Sequence, residues 1–553
     1  MRYIKPVEDL SQNALFDTET LDACSWWVTD LNDAARRQLD EGWEGIFRRS
    51  LLKLMPVKEV GARFSGTIGR RTKELHSMAA IVLIMEFKDW TPQEAANAYT
   101  FDNAIHFALN LPNKNNYLCT RTLETYKQQA QYDESAGEIF ENVTRALVEQ
   151  LGIDISRQRL DSTQVLSNMA QFTRTKLLGV SIKRLLIAIK RHSPEDYSTL
   201  PTELRERYEV TLGRLFGEAG KSSEGRAQAQ LQSAQDMLLL IDTFANHSHI
   251  CERTTYQSMV RLFNEHCEIK GKQPVVRPKS VDQNGQSAHT LQNPSDPGVG
   301  YDGHKGQGRK VHLAQTSAAE NEVQLIVGSI VHSAGEHDKN GLAPILEQQA
   351  RQGLQPQELT ADTHYGSDAN YQMAAEQGIG LISPVGGRAP SDGITSEQGK
   401  AAQRPLDEPP KKYGRRQIEP ETPLSTEQQA SLRNSQRREQ QQTEEWRKKY
   451  GRRAGSEGLN RALDQKTGIK KLRVRGDPAV THSVMSKVTG WNVHQSARAL
   501  KKRGIAARKV ARAAQKAAEV AVRRAKSWIQ WLGRILAPAV EPLRTSTSAL
   551  PTS

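Results

Sequence analysis

The stretch ELTADTHYGSDANY, from Glu358 to Tyr371, decides how this sequence folds. Leu359 and Ala361 supply the alternation of a short buried strand, and Asp362 stands where that strand should stop. His364, Tyr365 and Gly366 then lead into the helical run ANYQMAAEQG. A carboxylate at the carboxyl end of a strand, opening a strand-turn-helix unit, is where sheet proteins commonly place reactive groups. The plainer reading is an Asp that caps the next helix or closes a turn. What favours chemistry is the company this acid keeps elsewhere in the chain.

Upstream, ISRQRLDSTQVLSNMA carries Ile155 and Leu160 towards Asp161, Ser162 and Thr163, and reads as a second strand that ends on an acid. Ser162, Thr163 and Asn168 are polar where a plain core strand would carry Val or Ile, although Asp161 alone could be a turn residue. Between the two acids, RKVHLAQTS and VQLIVGSIVHS alternate as strands, joined by AAENE as a hairpin connection. A helix follows from Leu342 to Gln349, and a last strand, GLISPV, lies from Gly380 to Val385. The order is strand, helical insertion, hairpin, helix, strand, helix, strand, which predicts a mixed α/β sheet.

A third acid comes from a repeated hexapeptide. KKYGRR occurs at Lys411 to Arg416 and again at Lys448 to Arg453. Four residues beyond the first copy is Pro420, which argues against a continuing helix; four beyond the second is Glu457. LNRALDQKTG then reads as a short helix that stops at Gly468. At 3.6 residues per turn Tyr450, Arg453 and Glu457 share one face, although Gly451, Gly455 and Gly458 weaken the helix. Taken by itself, Arg453 with Glu457 is an ordinary i,i+4 surface pair.

At 553 residues the chain is long enough for two or three domains. Its hydrophobic fraction of 37% is low for one compact body, which predicts solvated segments. The formal charge of +13 is a tail property: Ser496 to Ser553 hold 13 Lys and Arg against 2 Glu. A polyanion, nucleic acid before membrane, is the partner this implies, with a basic membrane-surface helix as the alternative for the Ala-rich tail that ends near Trp528 and Trp531. Cys24, Cys119, Cys251 and Cys267 form no C-x-x-C pair, and His247, His249 and Cys251 have no matching ligand cluster, so neither a disulfide framework nor a zinc site is indicated. The amino terminus has no apolar signal region, and the longest apolar run, Ala79 to Phe87, is too short to span a bilayer. A soluble, intracellular protein is expected.

The pattern divides the chain into a helical region, 1–150, suited to a DNA-binding head of helix-turn-helix type or to plain packing. A catalytic region, 151–498, carries a helical insertion at 172–270, a linker at 271–300 and a polar, Pro-rich insertion at 388–447. A basic helical tail covers 499–553.

Taken together and in order, the DST at Asp161, the basic strand GRKVHL, the ADTHYG at Asp362, and YGRRAGSE ending at Glu457 with the basic strand IKKLRVRG behind it resemble the DDE transposases of bacterial insertion sequences. The subgroup is the insertion-sequence-four-like one with a Tyr-Arg-Glu-Lys signature. That resemblance implies a ribonuclease H-like fold, with a helical insertion after the first strand as an elaboration of it and an α-helical amino-terminal domain; the basic tail lies outside the resemblance. It implies Asp161, Asp362 and Glu457 as catalytic ligands of two Mg2+ (or Mn2+) ions, which cut phosphodiesters when about 3.5–4 Å apart. Arg453 would bind a phosphate near the cut and Tyr450 would help position it. The signature Lys position is Asp464; Arg461 shares the face of Glu457 and Lys466 points to the other side, and either could serve as the phosphate contact. The expected partner is double-stranded DNA, at element ends and target, bound by a homodimer in a bacterial cytoplasm in association with the nucleoid. The reaction would be end cleavage followed by strand transfer. The alternatives are an inactive DNA-binding remnant that regulates its element, and an unrelated nuclease of the same fold.

Overall fold

The computed structural model describes residues 2–3, 31–62, 64, 70–71, 73–111, 116–131, 135–217, 221–386, 425–504 and 516. Its first part is helical: α1 (Asp33–Glu41), α2 (Trp43–Ile46), α3 (Val57–Ala62), α4 (Leu75–Phe87), α5 (Pro92–Phe101), α6 (Asn103–Ala108), α7 (Thr120–Gln131) and α8 (Ser135–Leu151). The run LHSMAAIVLIMEF is apolar on nearly every side, so α4 is buried along its whole length and forms the axis around which the others pack. α5 starts on a capping box of Thr91 and Glu94 with Pro92 in its first turn.

The first strand of the main sheet, β1 (Arg157–Val165), leads into the helical insertion, made of α9 (Arg174–His192), α10 (Pro194–Thr199), α11 (Thr202–Tyr208), α12 (Ser223–Phe244) and α13 (Thr254–His266). These helices enclose an apolar cluster of their own, with Leu178, Ile182 and Leu185 of α9 against Met237, Leu240 and Met259. A small hairpin follows, β2 (Cys267–Lys270) with β3 (Gln273–Val276). The stretch at 271–300, expected as a linker, is pinned to the body. Asn293 donates to the Ala170 carbonyl, and Asp296, fully buried, accepts from Ser167 and Arg309. Polar side chains, rather than apolar ones, hold it, and that is why its composition reads as a connector.

The sheet then resumes with β4 (Gly300–Asp302), β5 (Gly306–Thr316) and β6 (Ile326–Ser333), followed by α14 (Leu342–Gln352), β7 (Glu358–Ala361), α15 (Asp368–Glu376) and β8 (Gly380–Ile382). Helices α16 (Thr426–Gln440), α17 (Glu444–Tyr450) and α18 (Gly455–Thr467) follow, and a long helix, α19, covers residues 477–504. Strands run in the order β8-β7-β1-β5, with β6 and β4 both paired to β5. β1 is parallel to β7 and antiparallel to β5. This mixed sheet, with its hairpin on one side of β1 and its parallel strands on the other, is consistent with a ribonuclease H-like fold.

Alternation along β1 sorts the sheet into two faces. Leu160, Ala314, Leu359 and Ala361 pack on Leu342, Ile345 and Leu346 of α14. Val165, Val311 and Leu313 pack on Leu459 and Leu463 of α18 and on Val480, Val484 and Val488 of α19. α19 also joins the sheet to the helical head, because Val493 and Ala497 share one cluster with Phe87, Ile84, Leu325 and Val327. At the crossing, a Cβ on Gly490 would overlap the ring of Phe87. Beside it the buried Lys487 donates to the carbonyls of Glu86 (2.8 Å) and Thr467 (2.5 Å) and to Asp89 (3.0 Å).

Two expectations change. IKKLRVRG is an extended segment with a single parallel bridge, Leu166 to Lys471, and not a strand of the sheet. Asp161 lies in the middle of β1 and not at its end. Of the basic tail, 499–504 complete α19; Trp528 and Trp531 lie outside the described residues, as do Cys24, the amino-terminal stretch up to residue 30 apart from 2–3, the prolines between 390 and 423 and the first KKYGRR copy. Among the described residues no helix is long and apolar enough to cross a membrane.

Candidate active site

Register brings the first two acids together. β1 pairs with β7 in parallel up to Leu160 and Ala361, so the next residue of each chain is an Asp. Leu160 and Ala361 face α14, and alternation turns Asp161 to the other side, under α18. Asp362 closes β7 and caps the turn Thr363–Tyr365, accepting from the His364 N–H at 2.9 Å. The cap uses Oδ1 and leaves Oδ2 to face Arg453.

Arg453 lies between the two carboxylates. Its Nη2 is 3.9 Å from Asp161 Oδ1 and 3.9 Å from Asp362 Oδ2. Three contacts hold it there. Lys449 and Arg452 from the second KKYGRR copy pair with Glu358 at the start of β7, at 3.1 and 2.7 Å. Arg159 of β1 donates to Gln315 and to the Arg452 carbonyl. Gly455 lets α18 start close to β1, because a Cβ there would overlap the Arg159 guanidinium. The chain from Tyr450 to Glu457 is thus α17, a 3-10 turn Gly451–Ala454 and then α18, in place of one continuous helix.

Asp161 is 9% exposed. Burial raises its pKa, and the charge of Asp362 raises it further, while Arg453 and the Ser162 N–H pull it down. Its Oδ2 accepts from Asn460 Nδ2 at 3.3 Å. Asn460 was not singled out by the sequence reading; its place seven residues after Arg453, on the same helical face, was the available signal. Among the described residues Arg453 Nε, Ser456 Oγ and Asn460 Oδ1 are buried with no hydrogen-bond partner, so the face of α18 above Asp161 carries unused polar capacity.

The other expected residues are distributed differently. Glu457 is exposed on α18, one turn before Asn460. Among the described residues no group of three His, Cys, Asp or Glu is arranged to hold a metal ion, so the fold joins two of the three acids and not the third. Tyr450 stacks on Trp446, centroids 4.9 Å apart, and its phenol lies beside Arg453; burial raises its pKa. Arg461 is exposed. Lys466 lines a different cleft of about 440 Å³ with Trp491, His494 and Arg498. Asp464, at the signature Lys position, accepts the Lys470 N–H at 3.0 Å and fixes the turn after α18.

A buried polar network backs the acids. Tyr365, whose burial raises its pKa far above that of a free phenol, keeps its proton and donates to His312 Nδ1 at 2.5 Å. Burial pushes His312 down to about 3, so it is a neutral acceptor. Ser162 donates to Asp338 at 2.8 Å, and Asp338 pairs with Lys310 at 2.9 Å. The two acids therefore stand on side chains with fixed positions.

Two carboxylates from neighbouring strands, with the unpartnered Asn460 amide oxygen on α18, are hard oxygen donors of the kind a divalent cation takes. The class this fold and site define is an α/β protein with paired acids at the centre of its sheet, beside a cation that can meet phosphate. Residues 279–493 match the family model described as the transposase DDE domain, which supports a transposase of DDE type, an enzyme acting on DNA. The matched span contains Asp362 and Glu457 and begins beyond Asp161. A search of the curated proteins and one of the solved structures found no match.

Proposed function

We propose that this chain is an insertion-sequence transposase that nicks DNA at the ends of its element and transfers the freed strand into target DNA, as a homodimer on paired ends. The observation that carries the reading is the parallel register that sets Asp161 beside Asp362 with the Arg453 guanidinium 3.9 Å from both. Asp161 and Asp362 would hold the metal, with Glu457 of α18 joining them. Divalent cations there, Mg2+ or Mn2+, would neutralise phosphodiester charge and lower the pKa of the attacking water.

The protein's own groups do the rest. Arg453 offers Nε and its terminal nitrogens to a non-bridging phosphate oxygen, in exchange for its long contacts with the acids. Asn460 keeps Asp161 turned towards the substrate. Tyr450 packs beside Arg453 and limits the directions the guanidinium can take; Arg461 and Lys466 add phosphate contacts at greater distance. In the first step water attacks the phosphorus, the P–O3′ bond breaks and a 3′-hydroxyl is released. In the second, that hydroxyl attacks a target phosphodiester, loses its proton and displaces the target's own 3′ oxygen, with no protein–DNA bond.

The test is cleavage of a labelled duplex carrying the element's own end with Mg2+ or Mn2+, comparing wild type with Asp362→Ala. Nicking at the end that disappears in the variant is the expected result. Specific binding without cleavage by either protein would replace the enzyme by a DNA-binding remnant, the reading that the exposed position of Glu457 would then explain.

A further inference from the structure

The segment that joins α18 to α19, Ile469 to Gly476, is too regular to be only a connector. Ile469, Leu472 and Val474 are buried, while Lys471, Arg473 and Arg475 alternate with them and are exposed, with Lys470 beside them. Three backbone hydrogen bonds of 2.8 Å fix the segment to the end of β1: Leu166 N–H to the Lys470 carbonyl, Leu472 N–H to the Leu166 carbonyl and Asn168 N–H to the Val474 carbonyl. β5 covers one edge of β1 as far as Val165. The segment therefore lies along the other edge, the one that β7 occupies up to Leu160. Between them, Asp161 to Val165 have no strand partner on this edge among the described residues, and the notch this leaves begins at Asp161, the first acid of the candidate site.

The charges on this edge are unspent. Among the described residues Lys470, Lys471 and Arg475 form no ion pair, and Arg473, half exposed, reaches Asp89 of the head at 3.4 Å. Arg184 of α9 adds another cation near Arg475. On the far side a cleft of about 430 Å³ separates Arg473 and Arg475 from Glu124, Lys127 and Gln128 of α7. Cations two residues apart on an extended chain repeat every ~6.6 Å. A row of them, held rigidly and with Arg473 alone ion-paired among the described residues, is suited to a polyanion backbone.

We infer that Lys470, Lys471, Arg473 and Arg475 form a rail for the phosphates of duplex DNA, and that the duplex on the rail is the one cut at the notch. This rests on the transposase reading above. Leu166 lies five residues beyond Asp161, about 17 Å along an extended strand. At a 3.4 Å rise that is about five base pairs, so the rail meets the backbone about five base pairs from the scissile phosphate, on the side towards α7. Such contacts position the duplex and read no bases.

The test uses the full chain and the triple variant Lys470→Gln, Lys471→Gln, Arg475→Gln, which leaves Arg473 and its contact with the head in place. Affinity for a random-sequence duplex is measured against salt, and hydroxyl-radical protection is mapped on the end duplex. The slope of log K against log salt should shrink by about 2 to 3, since each phosphate contact contributes about 0.9. Protection about five base pairs from the nick should fade. An unchanged slope and footprint, with wild-type nicking intact, would overturn the rail and leave the transposase reading standing. A wild-type protein that neither binds nor nicks duplex DNA would remove both. Should the triple variant lack a cooperative unfolding transition, Lys471→Gln alone decides, by a slope change of about 1 or none.

Discussion

Asp161 is the residue on which most of the site's energetics converge. It is buried beside a second carboxylate, and it is kept usable by Arg453, by the Ser162 N–H and by the Asn460 amide. Asn460→Ala removes a contact that orients the acid and touches little else. Loss of such a supporting hydrogen bond typically lowers metal affinity or activity about 10- to 100-fold. Nicking by Asn460→Ala should fall within that range while the thermal midpoint stays close to wild type, as measured by end cleavage and calorimetry. Activity equal to wild type would mean that Asn460 has no part in positioning Asp161. Asp161→Asn should abolish nicking and leave the fold at least as stable, because it removes a buried charge that faces Asp362; a large drop in midpoint would instead make Asp161 a structural acid.

At the scale of elements, α19 does work that the strands cannot do alone. Ile326, at the start of β6, presents its N–H and C=O to the Asn492 side chain, which accepts at 2.9 Å and donates at 2.7 Å, as a neighbouring strand would. The same amide reaches Thr144 of α8 at 3.1 Å, so one side chain links sheet, head and helix. Asn492→Ala leaves two buried backbone groups unsatisfied and should cost about 3 kcal/mol in urea unfolding. A cost under about 1 kcal/mol would mean that water replaces the amide. Register has the same weight on the other side of the sheet: because Leu160 and Ala361 are opposite one another and buried, a slip of one residue would bury one acid and expose the core residue beside it.

For the whole molecule, burial of imidazoles ties stability to pH. Burial holds His266 and His482 down to about 4, and His312 and His494 down to about 3. An unfolded His titrates near about 6.5. Below that pH the unfolded chain takes up protons that the folded chain refuses, so stability is complete above about 6.5 and is lost as pH falls towards these folded values. The thermal midpoint should decline steadily from pH 7 to pH 4, and His482→Gln should shallow the decline by one proton's worth. A midpoint constant down to pH 5 would show that these rings are solvated.

The sequence by itself determined the order of the main-sheet strands with the helices between them, the helical insertion and the stop of α18 at Gly468, because each depends on neighbours within a turn or two of chain. It also marked Asp161, Asp362 and Arg453, whose residue types are unusual for their local pattern. It missed α19, whose buried face mixes Ser483, Ser486, Thr489 and Asn492 with Val and Met, so that no plain apolar stripe announces it. It took 271–300 for a linker because buried polar clamps look like loop composition. Tertiary structure alone decided which acids meet, that Asn460 reaches Asp161, and that IKKLRVRG lies along the free edge of β1. These follow from strand register and from which faces pack together, and both are fixed by contacts between residues hundreds of positions apart that no local pattern encodes.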